Sequence, residues 1–346
     1  MDKKAQQLPL FAPHDRSDAV ENGSNLKDHG FTNKLSIQNR AFHEWYRFVL
    51  SFPPRLVSYY LREFGLKEGD VLLDPFCGTG TSLVEAKLRG IKSMGLEANP
   101  FAHFATSVKL NWGVNPDILL SRSEEVKAEC LDQFALQGIH DLGLIPPRVD
   151  EQGLRKLDKE AMRLLLKNSI SPLPLHKALV LRELIDQHRG EDYFPHMQLA
   201  LANASVFSIS NLRFGPEVGV GKRKKDAPVV SSWFEEIQKM ARDLRQVHGK
   251  DFPDAVAYLA DAREINKIIP PKSANAVITS PPYPNEKDYS RTTRLELVLL
   301  GFVSSMRELR EVKKTFIRSN TRGVYKADDD DVWVQSHPEI QRLSEQ

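Results

Sequence analysis

Two short stretches carry the residue types that could do chemistry. Asp74-Pro75-Phe76-Cys77-Gly78-Thr79-Gly80-Thr81 follows the apolar run Val71-Leu72-Leu73 and opens a predicted helix. Its glycines let the backbone approach a ligand closely at the carboxyl edge of a sheet, where α/β proteins bind cofactors. No Gly-Lys-Ser/Thr follows, so it is not a phosphate-binding P-loop, and Leu83 stands where the dinucleotide fingerprint needs a third glycine. Glu97 ends the next predicted strand, where a carboxylate can accept hydrogen bonds from two ribose hydroxyls. Gly78-Thr79-Gly80 alone reads equally as a tight turn; with the flanking strand, the helix and Glu97 it points to a nucleoside cofactor. Far downstream, Ser280-Pro281-Pro282-Tyr283 follows a second apolar run. Its prolines remove two backbone donors and fix the chain, so carbonyl oxygens and the Ser280 hydroxyl can face a ligand. As a bare tetrapeptide it would also suit a polyproline ligand.

The elements that must position these residues alternate. The pattern predicts a helix over Arg55–Phe64, a strand at Val71-Leu72-Leu73, a helix over Thr81–Arg89 stopped by Gly90, a strand over Ile91–Leu96 and a helix over Phe101–Leu110. Such alternation means a parallel sheet covered by helices. It then stops. Residues 115–250 hold amphipathic helical stretches, such as Leu154–Leu166 and Phe234–Val247, and a Gly/Lys/Arg loop over Arg213–Pro228. Strand character returns at Ala255–Leu259 and Ala276-Val277-Ile278-Thr279. The division is therefore a mobile polar tail (1–35), a cofactor-binding half (36–114), a mostly helical insertion and candidate target-recognition region (115–250), and a second half carrying strands three and four (251–346).

Composition narrows the class. The chain has 346 residues, 41% hydrophobic and 27% charged, with a formal net charge of +2. No global basic field announces nucleic acid, so any such binding must come from local patches. Two cysteines, Cys77 and Cys130, build neither a disulfide scaffold nor a four-cysteine zinc site, and no metal site is expected. No apolar run approaches the ~18 residues of a membrane span, and the first residues lead into polar sequence rather than a signal-peptide core. A cytoplasmic protein without membrane contact is the expectation.

The stretch Asp74–Thr81 resembles the S-adenosyl-L-methionine loop of the amino-methyltransferases, which methylate exocyclic amines of bases. The resemblance implies an α/β, Rossmann-like methyltransferase fold, and cofactor contacts from Asp74, Phe76, Gly78, Gly80 and Thr81, with Glu97 on the ribose. Asp261, in Tyr258-Leu259-Ala260-Asp261-Ala262-Arg263, matches the family's acid for the adenine amino group; a turn or capping role is the alternative. Trp45–Pro54, with Phe52 and Pro53, resembles the segment closing over the methionine end, although an aromatic cluster also serves as core. Ser280, Pro281, Pro282 and Tyr283 would then be catalytic. An aromatic amine is a poor nucleophile until acceptors on its N–H groups favour a pyramidal nitrogen, and Tyr283 would stack on a base taken out of its duplex.

The resemblance runs from about residue 40 to 325, continuing through Pro284–Leu297, and is closest to one group of bacterial DNA modification methylases. Serine at the first motif position is typical of cytosine-N4 enzymes, whereas adenine-N6 enzymes more often carry Asp or Asn. Cytosine-C5 chemistry needs a cysteine nucleophile, and neither cysteine is suitably set. The implied function is DNA amine methylation within a restriction-modification or defence system. An RNA or tRNA amino-methyltransferase and a non-catalytic nucleic-acid-binding remnant are the alternatives.

Lys222-Arg223-Lys224-Lys225, with Arg291 and Arg294 in a second basic series, are candidates for phosphate contact, against the reading of ordinary solvated charge. Gln7-Leu8-Pro9-Leu10-Phe11 resembles the motif by which bacterial proteins dock on the replicative sliding clamp; a staple onto this protein's own surface is the alternative. The family sheet has seven strands, yet no three further apolar runs follow Tyr283. The fold is thus expected to be incomplete, with strand four left as an edge, either as one part of a split enzyme that a second polypeptide would complete or as a truncated product.

Overall fold

The computed structural model describes residues 35, 40–48, 51–143, 152–214, 218–283, 288–317 and 330–344. The tail motif Gln7–Phe11 and Pro284–Lys287 lie outside them, as do Arg318 and Arg322 of the second basic series.

A four-stranded parallel sheet carries the architecture. Strands β1 (Val71–Asp74) and β2 (Lys92–Glu97) flank helix α2 (Thr81–Leu88), and helix α1 (Pro54–Glu63) precedes them. Two further strands, β5 (Ala255–Leu259) and β6 (Ala276–Val277), come after the insertion. The spatial order is β5-β2-β1-β6, with Leu72 opposite Ser93 on one side and Ala276 on the other. The chain steps outward from β1 through β2 to β5 and then crosses back to β6 on the other side of β1, so a crevice opens above the carboxyl ends of β1 and β6, where open α/β sheets bind ligands.

The alternation of β1 explains how the sheet is clothed. Leu72 is buried against Val57 and Leu61 of α1 and Ala86 of α2, while Leu73 faces the other way onto Leu96 and Ile269. That second face is thinly covered, by a 3₁₀ turn (Ala262–Lys267) and Ile268-Ile269. Val256 and Leu259 of β5 and Val277 of β6 are exposed. Among the described residues β6 pairs with β1 alone, so it is an edge, as is β5. The predicted strand over Ala276–Thr279 shortens to two residues, although Ile278 N–H still donates to Leu73 C=O at 3.1 Å.

Helix α3 (Pro100–Leu110) starts where Asn99 accepts from the N–H groups of Phe101 and Ala102, with Pro100 preset at the first turn. Asn115-Pro116 begins α4 (Pro116–Leu136) in the same way. The insertion continues through α5 (Lys159–Leu164), α6 (Pro172–Asp186), α7 (Phe194–Ala204) and α8 (Val229–Val247). Trp233, Ile237, Met240 and Leu244 of α8 fall on one buried face, and their core runs without a break into Phe101 and Ala105 of α3. Asp158 caps α5, accepting from Glu160 and Ala161 N–H, and so starts it later than the predicted Leu154. The predicted loop Arg213–Pro228 contains most of a short hairpin, β3 (Leu212–Phe214) with β4 (Val218–Val220). Beyond β6 come α9 (Tyr289–Thr292), α10 (Arg294–Leu299), α11 (Met306–Lys314) and α12 (Pro338–Ser344).

Candidate functional site

The glycine loop is built around a buried carboxylate. Asp74 Oδ1 accepts from Phe76 N–H at 3.1 Å and from the Thr279 hydroxyl at 2.7 Å, and Oδ2 accepts from the Ser82 hydroxyl. One side chain thereby fixes the loop, the start of α2 and the stretch before Ser280. Gly80 sits at φ +78°, and a Cβ there would lie 2.7 Å from Thr106 Cγ2. Glycine is required by both conformation and space. Thr106 also donates from Oγ1 to Gly78 C=O at 2.8 Å. From beneath, the buried Lys109 ammonium donates to Thr79 C=O at 2.6 Å and Tyr46 C=O at 3.3 Å. Burial lowers its pKa to about 7.

Glu97 closes the loop from the next strand. Its Oε2 accepts from Gly78 N–H at 2.9 Å and its Oε1 from Asn99 N–H at 2.8 Å. Burial nevertheless pushes its pKa up to about 7, because the backbone bonds only partly offset the lost solvation.

The two motifs share one cleft. Phe52, Phe76, Gly78, Thr81, Glu97 and Asp261 line it together with Ser280, Pro281, Pro282 and Tyr283. Tyr283 is 66% exposed, leaving a ring face open. Three expected cofactor residues are placed differently. Asp74 and Gly80 are not in the lining, because one is spent on holding the loop and the other on the close approach to Thr106. Pro53 is displaced from the lining as the residue before α1, while Phe48 and Ser51 of the same aromatic segment face the cleft. Asp261 lines the cleft, but its carboxylate caps the 3₁₀ turn through Arg263 N–H and is gripped by the Arg263 guanidinium. The capping alternative thus describes its contacts.

Cys77 is buried, and desolvation drives its thiol well above its ordinary range. Cys130 is buried in α4, its thiol pushed up to about 12. Neither is a ready nucleophile.

The basic candidates divide. Lys222, Arg223 and Lys225 are exposed beside the hairpin, whereas Lys224 donates to Ser208 C=O at 2.5 Å. Arg291 is exposed on α9. Arg294 is turned inward instead: it donates to Ser290 C=O and Oγ and to Leu164 C=O, tying α10 to α5. Its planar five-donor fork suits that bracing role, so as a phosphate contact it is corrected.

Sequence reasoning missed Asn99, whose Nδ2 donates to Thr293 Oγ1 at 2.8 Å, and the cleft wall supplied by Tyr289, Thr292 and Thr315–Ile317. The Asn99-Pro100 pair was a readable cap signal. Lys109 carried none, since a lysine on a helix reads as solvated.

A family model described as DNA methylase, of the N6/N4 methyltransferase type, matches residues 12–106. The Type II methyltransferase M.BsoBI of Geobacillus stearothermophilus is 28% identical over 80% of this chain and 56% of its own length. The Type II methyltransferase M.MjaII of Methanocaldococcus jannaschii is 45% identical over 17% of this chain and 11% of its own. A tRNA (guanine(10)-N2)-dimethyltransferase of Methanothermobacter thermautotrophicus is 45% identical over 14% of either chain. The chain thus spans little more than half of the M.BsoBI relative. No solved structure matches it with significance.

Proposed function

We propose, from the premise that this chain belongs to the DNA amino-methyltransferase family, that it binds S-adenosyl-L-methionine and methylates an exocyclic base amine in DNA. Cytosine N4 is favoured over adenine N6, within a cytoplasmic restriction-modification or defence system. The observation that carries the reading is the cleft shared by the glycine loop, Glu97 and Ser280–Tyr283 at the point where the order of strand addition reverses.

The residues fit the cofactor. A Cβ at Gly78 would point at Phe48 Cδ2, 4.0 Å away, filling the cradle above the loop. Glu97 keeps further acceptor lone pairs beyond those used by Gly78 and Asn99, enough for a ribose diol. Asp261 would meet the adenine end, its carboxylate shared with Arg263. Bound there, the cofactor would supply an electrophilic methyl group on a sulfonium. Ser280 Oγ and the Pro281 carbonyl would accept from the amine's N–H groups and hold its lone pair toward the cofactor end of the cleft. Tyr283 would stack on the base, and Phe52 would help exclude water. The buried Cys77 has no part in it.

Two partner proposals complete the reading. The free edge of β6, with Val277 52% exposed, suits an added strand from a second polypeptide. Gln7–Phe11 remains a candidate for the sliding clamp, to be dropped if a tail peptide shows no binding at high micromolar concentration.

The test is labelled-methyl transfer by the full chain to DNA and to tRNA, with and without the product of the adjacent gene, followed by nucleoside analysis. The expected product is N4-methylcytosine. N6-methyladenine would reassign the base. The short matches to tRNA guanine dimethyltransferases are the observation behind the RNA alternative, which methylguanosine in tRNA would establish. Cofactor binding with no transfer to either substrate, even with the partner present, would leave a non-catalytic remnant.

A further inference from the structure

At the end of α7 the chain widens into a π-helical turn, Ser205–Ile209, closed by Ser210 N–H donating to Ser205 C=O at 2.8 Å. Such turns are rare and concentrate at functional sites. The extra residue keeps Val206 and Ile209 buried but turns Phe207 outward, 48% exposed. Its ring lies 5.5 Å from that of Phe214 on the hairpin, at an interplanar angle of 36°. On its other side it lies 6.2 Å from Tyr46, which is 6.0 Å from Phe48 in the cleft wall. The exposed aromatic surface therefore stands two rings from the site.

Charge accompanies it. Lys224 Nζ donates to Ser208 C=O at 2.5 Å, and Lys224 N–H donates to Asn211 Oδ1 at 2.8 Å, so the basic loop is fastened to the π-turn itself. Lys222, Arg223 and Lys225 are exposed on that anchored loop. A π-face beside cations matches a polyanion whose bases are unstacked; strands of that kind bind to aromatic platforms in positive grooves. Taking a target base out of a duplex leaves its former partner unpaired and open to stacking.

Resting on the amine-methylation reading above, we infer that Phe207 and Phe214 form a stacking platform for the base left unpaired when the target nucleotide is extruded, with Lys222, Arg223 and Lys225 on the flanking phosphates. The surface takes a nucleic-acid strand, and the π-turn is what presents it.

The experiment uses the full chain and a fluorescein-labelled 30-base-pair DNA duplex containing one unpaired cytosine. Binding is followed by anisotropy at several salt concentrations, and S-adenosyl-L-methionine binding is measured separately by calorimetry. Phe207→Ala is expected to weaken duplex binding about tenfold with the salt slope unchanged. Phe207→Trp should restore it. The triple change Lys222→Gln, Arg223→Gln, Lys225→Gln should flatten the slope of log K against log salt by about 2–3. Cofactor affinity should stay at the wild-type value in all three. Wild-type duplex binding by Phe207→Ala, or a salt slope untouched by the triple change, overturns the inference even where methyl transfer to DNA is intact. Failure of wild-type protein to bind the duplex also overturns it. Phe207-dependent duplex binding without any methyl transfer would instead retain the surface and sink the enzymatic reading.

Discussion

The Arg263 guanidinium holds the Asp261 carboxylate in a fork: Nε lies 3.0 and 2.9 Å from Oδ1 and Oδ2, and Nη2 2.5 Å from Oδ2. The same guanidinium donates to Lys314 C=O at 2.9 Å and covers the Trp333 ring at 5.0 Å. Asp261 is thus a joint between the turn after β5 and the C-terminal segments as well as part of the cleft wall. Asp261→Ala should lower the melting temperature more than Glu97→Gln does. Glu97→Ala should weaken cofactor binding more than Asp261→Ala does. Calorimetry and thermal melts on the two pairs of variants check both orders.

Cofactor binding should depend on pH through Glu97. Burial raises its pKa to about 7, and on the proposed reading the ionised form is the better acceptor for ribose hydroxyls. Affinity should rise between pH 6 and pH 8, by about tenfold, and level off above. Glu97→Gln should bind weakly and without that slope, which separates Glu97 from other groups titrating in the same window.

A second buried carboxylate bears on stability instead. Glu296 Oε1 accepts from the Tyr46 hydroxyl, Oε2 has no partner among the described residues, and burial pushes the pKa up to about 7. A folded-state pKa raised above the unfolded one favours the protonated fold. Stability from this group is full below about pH 4.5 and is lost as pH rises through about 7, a swing of about 3 kcal/mol. Glu296→Gln should therefore melt above the wild type at pH 8 and lose that advantage at pH 5, as thermal melts at the two pH values would read.

Gly80→Ala tests the loop's geometry. At φ +78° with Thr106 Cγ2 2.7 Å from the new methyl, it should destabilise the fold by about 1–3 kcal/mol. Adding Thr106→Ser removes Cγ2 and should recover part of the loss, the backbone strain remaining. Denaturant unfolding of the single and double variants gives both numbers.

These cases mark what a linear sequence can carry. The loop was legible because glycines at fixed offsets after an apolar strand have few other uses, and Glu97 and Ser280–Tyr283 because both motifs end strands. The parallel order of the sheet followed from alternation alone. The roles within the loop were less legible: Asp74 looks like a ligand residue until its three internal partners are seen. Arg294 and Lys109 look like surface cations, since nothing local announces that a long side chain will be drawn inward to carbonyl oxygens. The β3–β4 hairpin hid inside a stretch whose glycines and lysines resemble a loop. Phe207 gave no signal at all, because its exposure depends on one extra residue in a helical turn.

The bond from Thr279 to Asp74 has a consequence for how the molecule is made. The loop's central carboxylate lies buried, and one of its donors is a residue synthesised some two hundred positions later, as is the strand that flanks β1 on that side. While a ribosome is still producing the insertion, the emerging amino-terminal half lacks one of the three donors to Asp74, and β1 has β2 alone beside it. Contacts so far apart in the chain form late, and the intermediate is exposed to misassembly. The cleft shared by the two motifs is therefore among the last parts of this protein to mature, although the residues that begin it are among the first to be made.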